Sequence, residues 1–346
     1  MLARPAALVP VLLAALLGGC GGDAELRPVA DAPAPVDSAR PMDPAEARAR
    51  QLLAAGDHEE AREAFEQLAE FAPTPEQRAE FIFLAGEAAL AGEEFHLAYE
   101  LYRSFLRRFP GSPRYPEAVE RVFLVGRAYC EGRARKPSWV LGVLMTDREF
   151  GVELLTAFQQ AREQHPLADD ALHYVAEAQL AMGEPQVAIA TWEKLGALYP
   201  RSELLEVAEL RSAMAFRDMS AGAEYDKRPL HTALSRLRRY VVRYPSGSRI
   251  EEARLAIREL EEELGGHDLD VASFYLRRGK EYAARLYLDG VIRRYPGTEA
   301  AAEATRRRDR LPQTSPPPPP PEPPDEALEP LGEPLPAEQP EPVPVD

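Results

Sequence analysis

Between residues 44 and 311 the apolar positions recur at intervals of three and four, the period of a helix that buries one face. The stretch Asp268–Thr298 shows the pattern most clearly. Ala284, Leu288, Val291 and Tyr295 form its apolar stripe, while Glu281, Arg285, Asp289 and Arg293 fall four apart with alternating sign on the wet face. The pattern predicts two short helices there, broken at Gly279 and stopped at Pro296. Counted back from Pro296, a small residue lies at Ala284, a large apolar one at Leu288 and another apolar one at Val291.

The same spacing repeats along the chain. Back from Pro73 the three positions are Ala61, Phe65 and Leu68, and from Pro110 they are Ala98, Tyr102 and Phe105. From Pro200 they are Ala188, Trp192 and Leu195, and from Pro245 they are Ala233, Leu237 and Tyr240. Pro166 gives Leu154, Phe158 and Ala161, with small and large residues exchanged. Gly56, Gly183 and Gly279 each precede their proline by one common interval. Capping-box spacing at Thr74-Pro75-Glu76-Gln77 and Ser248-Arg249-Ile250-Glu251 predicts two helix starts. Small, large, apolar and proline at these intervals, in units of about 34 residues, resemble the tetratricopeptide repeat. The resemblance implies an all-α, right-handed helical solenoid of about six helix pairs. Two insertions interrupt it, at residues 131–150 in the third unit and roughly 218–229 in the fifth.

The two ends are compositionally different. The apolar run Ala6–Leu17 is too short to cross a bilayer and leads into Leu17-Gly18-Gly19-Cys20. This resembles a bacterial lipobox, which implies a signal peptide at 1–19 and a lipid on Cys20; an ordinary secretory signal is the alternative. Residues 20–43 have no apolar period and are expected to be a flexible tether. Residues 312–346 hold the run Pro316–Pro321 and acids but no Lys or Arg, and are expected to be a disordered tail with polyproline II stretches.

A net charge of −16 argues against nucleic-acid binding and against broad attraction to anionic lipid, which leaves membrane attachment to the anchor. Arg107-Arg108, Arg238-Arg239 and Arg293-Arg294 are read as helix C-terminal cations, and Arg306-Arg307-Arg308 as a weaker site for an acidic partner. With Cys20 lipidated, Cys130 is expected to be a buried free thiol. The six histidines lack metal-ligand spacing, and no nucleophile or phosphate-loop motif is present. The expectation is a protein with no cofactor, no metal and no catalysis. The segment Trp139–Met145 is too apolar for a plain loop, so Trp139 and Leu141 either fold back on their own repeat or meet a partner.

Residues 204–304 resemble the BamD family of outer-membrane assembly lipoproteins. The resemblance rests on Val271-Ala272-Ser273-Phe274-Tyr275-Leu276-Arg277-Arg278-Gly279, Tyr295-Pro296-Gly297-Thr298 and Tyr225-Asp226-Lys227-Arg228-Pro229. It implies a scaffold in the outer membrane facing the periplasm. Its C-terminal repeats (167–311) would bind a BamA-like barrel subunit, and its N-terminal repeats (44–166) would receive unfolded barrel proteins. Partner-binding candidates are Arg277, Arg278, Tyr282 and Tyr287. Many family members carry Asn-Arg where this chain has Leu286-Tyr287, and commonly five units rather than six, so that contact does not transfer unchanged. Two rivals remain: a repeat lipoprotein serving Tol, pilus or peptidoglycan machinery, and, more remotely, an envelope enzyme.

Overall fold

The computed structural model describes residues 43–138, 143–219 and 226–312, without the side chains of 135–138 and 143–146. Cys20, Trp139, Leu141, the tether and the Pro-rich tail lie outside the described residues. The described chain is an all-α solenoid of six helix pairs closed by a thirteenth helix, apart from one short hairpin. The pairs are α1 Pro44–Ala55 with α2 His58–Glu70, α3 Pro75–Ala91 with α4 Phe95–Arg108, and α5 Tyr115–Cys130 with α6 Arg148–Ala161. They continue as α7 Ala168–Ala181 with α8 Pro185–Leu198, α9 Leu205–Asp218 with α10 Arg228–Arg243, and α11 Ile250–Arg277 with α12 Glu281–Arg294, before α13 Glu299–Asp309. Strands β1 Arg135–Ser138 and β2 Val143–Thr146 pair antiparallel inside the third unit, with Arg135 opposite Thr146. That hairpin is the form taken by the first insertion.

Each helix packs on its neighbours in sequence, and the core divides into four overlapping clusters along the chain. This is the one-dimensional packing of a repeat protein, in which a unit buries its apolar face only against the next. The small, large and apolar positions form that face. Ala61, Ala98, Ala188, Ala233 and Ala284 are fully enclosed, and Phe65, Tyr102, Trp192, Leu237 and Leu288 fill the space between units. Charges also recur at one repeat length. Arg114 reaches Glu80 at 2.6 Å, Arg121 reaches Glu87 at 2.7 Å and Arg211 reaches Glu177 at 2.6 Å, each across 34 residues.

The turn inside a pair is also repeated. Gly56, Gly183 and Gly279 adopt φ of +87°, +82° and +68°, a region open to glycine because it has no Cβ. In each case the next amide donates back to the last helical turn, as Glu184 does to the Gln179 carbonyl at 2.9 Å. In the second pair Glu93 takes this position at φ +58°, with Glu94 donating to the Ala89 carbonyl at 2.8 Å.

Several expectations are corrected. In the third unit the buried series is Gly151, Leu155 and Phe158, three residues earlier than the count from Pro166 gives; Leu154 is half-buried and Ala161 exposed. Arg162 ends that helix and the His165 amide donates to its carbonyl, as Ser112 does to Phe109 and Ser202 to Tyr199. Pro166 therefore stands where the second unit has Pro113, not Pro110. In the last unit the first helix is not short: α11 runs 28 residues through Gly265-Gly266 without a break. A Cβ on Gly265 would meet the Ala300 Cβ at 2.9 Å, so the glycine admits α13 rather than ending α11.

The Thr74 cap forms, its hydroxyl accepting from the Gln77 amide at 3.2 Å. Ser248 caps nothing and donates to Glu206 instead. Arg238 and Arg239 lie more than a turn before the end of α10, whose last-turn cation is Arg243. Arg238 instead joins units, pairing with Glu261 at 2.6 Å and donating to the Arg294 carbonyl at 3.1 Å. The charged face of α12 is not simply wet, because α13 covers part of it and Arg308 reaches Asp289.

Candidate partner-binding surface

The turn between α11 and α12 gathers cations and aromatic rings. Gly279 closes α11, and the Lys280 amide donates to the Tyr275 carbonyl at 3.0 Å, so Arg277, Arg278 and Lys280 project from one tight bend. All three are exposed, and none has a carboxylate partner among the described residues. The Arg278 guanidinium lies 4.5 Å over the Phe274 ring, a geometry in which the ring face attracts the cation. Phe274 meets Tyr275 edge-on at 5.5 Å, and Tyr275 stacks on Tyr287 with centroids 5.5 Å apart and an interplanar angle of 22°. Phe274 is 41% exposed and Leu286 57% exposed. An apolar centre with a cationic rim suits a partner carrying carboxylates around apolar side chains.

The structure thus brings Arg277, Arg278, Tyr282 and Tyr287 onto one helical pair. Tyr282 is half-buried, and Tyr287 packs partly inward against the core of the last units. Tyr275 is half-buried, whereas Ala272 is fully enclosed. The Arg306–Arg308 run is already engaged: Glu303 pairs with Arg306 and Arg307, and Asp309 with Arg308. Cys130 is a buried free thiol whose pKa burial pushes up to about 12.

Two clefts escaped the sequence reading. One, of about 580 Å³, lies among α1, α2 and α3 and is lined by Leu52, Leu68, Phe71 and Phe81. Its Phe71 is 80% exposed at the end of α2. The aromatic stands one residue further from its proline than in later units, the only sequence sign of its outward position. The other, of about 490 Å³, lies among α8, α9 and α10, walled by Trp192, Glu193, Ser212, Arg236, Arg239 and Arg243. Arg236 spans it, donating to Ser212 at 3.0 Å and to Glu193 at 2.6 Å.

Among the described residues no group of three or more His, Cys, Asp or Glu is placed to hold a metal ion. No described helix is long and apolar enough to cross a membrane. Repeat packing displaces the titration of Tyr102, where burial and then Glu87 raise the phenol's pKa while Glu87 also holds Arg121.

A family model described as an outer membrane lipoprotein, YfiO, matches residues 152–309, and a tetratricopeptide-repeat model matches residues 46–74. The outer membrane protein assembly factor BamD of Caulobacter vibrioides is 27% identical over 213 residues, covering 58% of this chain and 70% of that one. Among solved structures, MamA (AMB-1) is 15% identical at a TM-score of 0.36, covering 59% of this chain and 92% of its own. PilF of Pseudomonas aeruginosa is 17% identical at 0.35, covering 75% of this chain and 95% of its own. Structural likenesses of that size carry no argument. The sequence matches do: residues 152–309 are similar to the outer membrane lipoprotein family, residues 46–74 to the tetratricopeptide repeat, and a stretch covering 58% of the chain to BamD.

Proposed function

We propose that this chain is a non-catalytic lipoprotein scaffold of the machinery that inserts β-barrel proteins into the outer membrane. The observation that carries the reading is the outer membrane lipoprotein match over residues 152–309, within a chain similar to BamD. Cys20 anchors the chain by lipid to the outer membrane, on its periplasmic side. The repeats of 167–311 dock a BamA-like barrel subunit, and the exposed Phe274, Arg277, Arg278 and Leu286 patch supports that assignment. Because Leu286-Tyr287 replaces the Asn-Arg found in many family members, the contact here is more apolar. The repeats of 44–166 receive unfolded barrel proteins. Their cleft, which mixes Leu52, Leu68, Phe71 and Phe81 with Arg48, Glu60 and Glu63, supports this, since a groove of mixed lining suits the alternating apolar and polar side chains of an extended barrel segment.

Affinity purification of the full chain from gently solubilised envelopes tests the reading. It is expected to recover a BamA-like barrel subunit, with Cys20→Ala lost from the membrane fraction. Recovery of Tol, pilus or peptidoglycan proteins without a barrel subunit contradicts it.

A further inference from the structure

The chain leaves the fold against α12, the second helix of the pair that carries the patch. After α13 it turns back onto α12, where the Arg285 Nη2 donates to the Leu311 carbonyl at 3.2 Å and to the Pro312 carbonyl. Arg285 lies within a turn of Tyr282 but on the flank of α12 opposite Tyr287. The next residues are Gln313-Thr314-Ser315, and then the unbroken run Pro316–Pro321.

We propose that Pro316–Pro321 docks on the aromatic cluster of Phe274, Tyr275 and Tyr287, with the carboxylates that follow meeting Arg277, Arg278 and Lys280. Three observations carry this. The first is reach. A proline run rises about 3.1 Å per residue, so six prolines span roughly 19 Å. From Arg285 back to Lys280 is only about 8 Å along the helix axis, and the four residues from Pro312 to Pro316 span up to roughly 13 Å, enough to cross α12 and bring the run to the patch.

The second is chemistry. Polyproline II segments dock on clustered aromatic side chains and lose little conformational entropy because they are already extended. The rings here are the kind such segments use, with Phe274 and Leu286 open to solvent. The third is charge. Glu322, Asp325 and Glu326 come directly after the run, and residues 313–346 contain no Lys or Arg. Arg277, Arg278 and Lys280 are left without carboxylates among the described residues, while the nearby Arg306–Arg308 run is already paired.

The inference uses the same patch as the proposed function but not the identity of any partner, so either can fail alone.

The chain has four lysines, Lys136, Lys194, Lys227 and Lys280, which makes zero-length carbodiimide coupling of amines to carboxylates a direct test. The full chain, as an equal mixture of isotopically light and heavy protein, is coupled and digested, and the joined peptides are identified by mass. The expected result is a link from Lys280 to Glu322, Asp325 or Glu326 within one chain. That link is lost in the variant carrying Pro316→Ser through Pro321→Ser. These substitutions lie outside the described helices, and an unchanged melting curve checks that the fold is intact. Absence of a Lys280 link overturns the proposal. So does its persistence in the serine variant, which reduces the contact to charge alone, and so do light-to-heavy links, which make the occupant a second copy.

Discussion

Gly151 and Cys130 meet backbone to backbone: a Cβ on Gly151 would stand 2.6 Å from the Cys130 nitrogen and 2.8 Å from the Tyr129 Cβ. The other units place alanine at this crossing; the third admits nothing larger than glycine. Gly151→Ala is therefore expected to force α5 and α6 apart and to destabilise the fold by about 1–3 kcal/mol. Chemical denaturation measures this, and an unchanged midpoint contradicts the register given for the third unit.

The turn glycines make a paired prediction. Gly183 at φ +82° has open space around it, so Gly183→Ala introduces no clash and tests backbone strain alone. It is expected to cost about 1 kcal/mol. Glu93 already bears that strain at the equivalent turn, and its pair with Arg133 at 2.8 Å is exposed on both sides. Glu93→Ala should therefore change stability by no more than about 0.5 kcal/mol. Equal costs at the two positions contradict the equivalence of the turns.

The sequence made the repeat legible because alanine, a large residue and proline each do one steric job at a fixed interval. It misled where one symbol had two sources. Pro166 is a proline of the inter-unit loop rather than a helix stop, and the short helix expected before Gly279 is the end of the 28-residue α11, in which Gly265 is a packing notch for α13. The Arg277–Arg278 pair was legible from its place before Gly279. Its lack of carboxylates was not, because pairing depends on neighbours far along the chain, as the 34-residue pairs show. The clefts were illegible for the same reason, each being walled by three helices.

His173 on α7 supplies a pH dependence. Its Nδ1 is enclosed without a hydrogen-bond partner. Burial lowers its pKa below the ordinary 6.5, Glu177 opposes this, and Arg211, Arg249 and Arg127 reinforce it. His165 is also lowered by burial, with Glu120 opposing and Arg162 assisting. A proton therefore binds the unfolded chain more readily than the folded one. The stability from the neutral ring is complete above pH 6.5 and is lost as the pH falls from there toward the folded-state value. Urea midpoints should drop between about pH 7.5 and pH 5.5, and His173→Phe should flatten that slope. A slope unaltered by the substitution assigns the proton to another group.

The most direct test of the account is the affinity of the full chain for the periplasmic domains of a BamA-like subunit, compared with Arg277→Glu, Arg278→Glu. Both side chains are exposed and free of carboxylate partners among the described residues, so helicity and melting should stay nearly unchanged. The account predicts weaker capture, through a slower association rate whose deficit shrinks as salt is added. Wild-type affinity in the double variant would contradict the docking of the barrel subunit on the last helical pair.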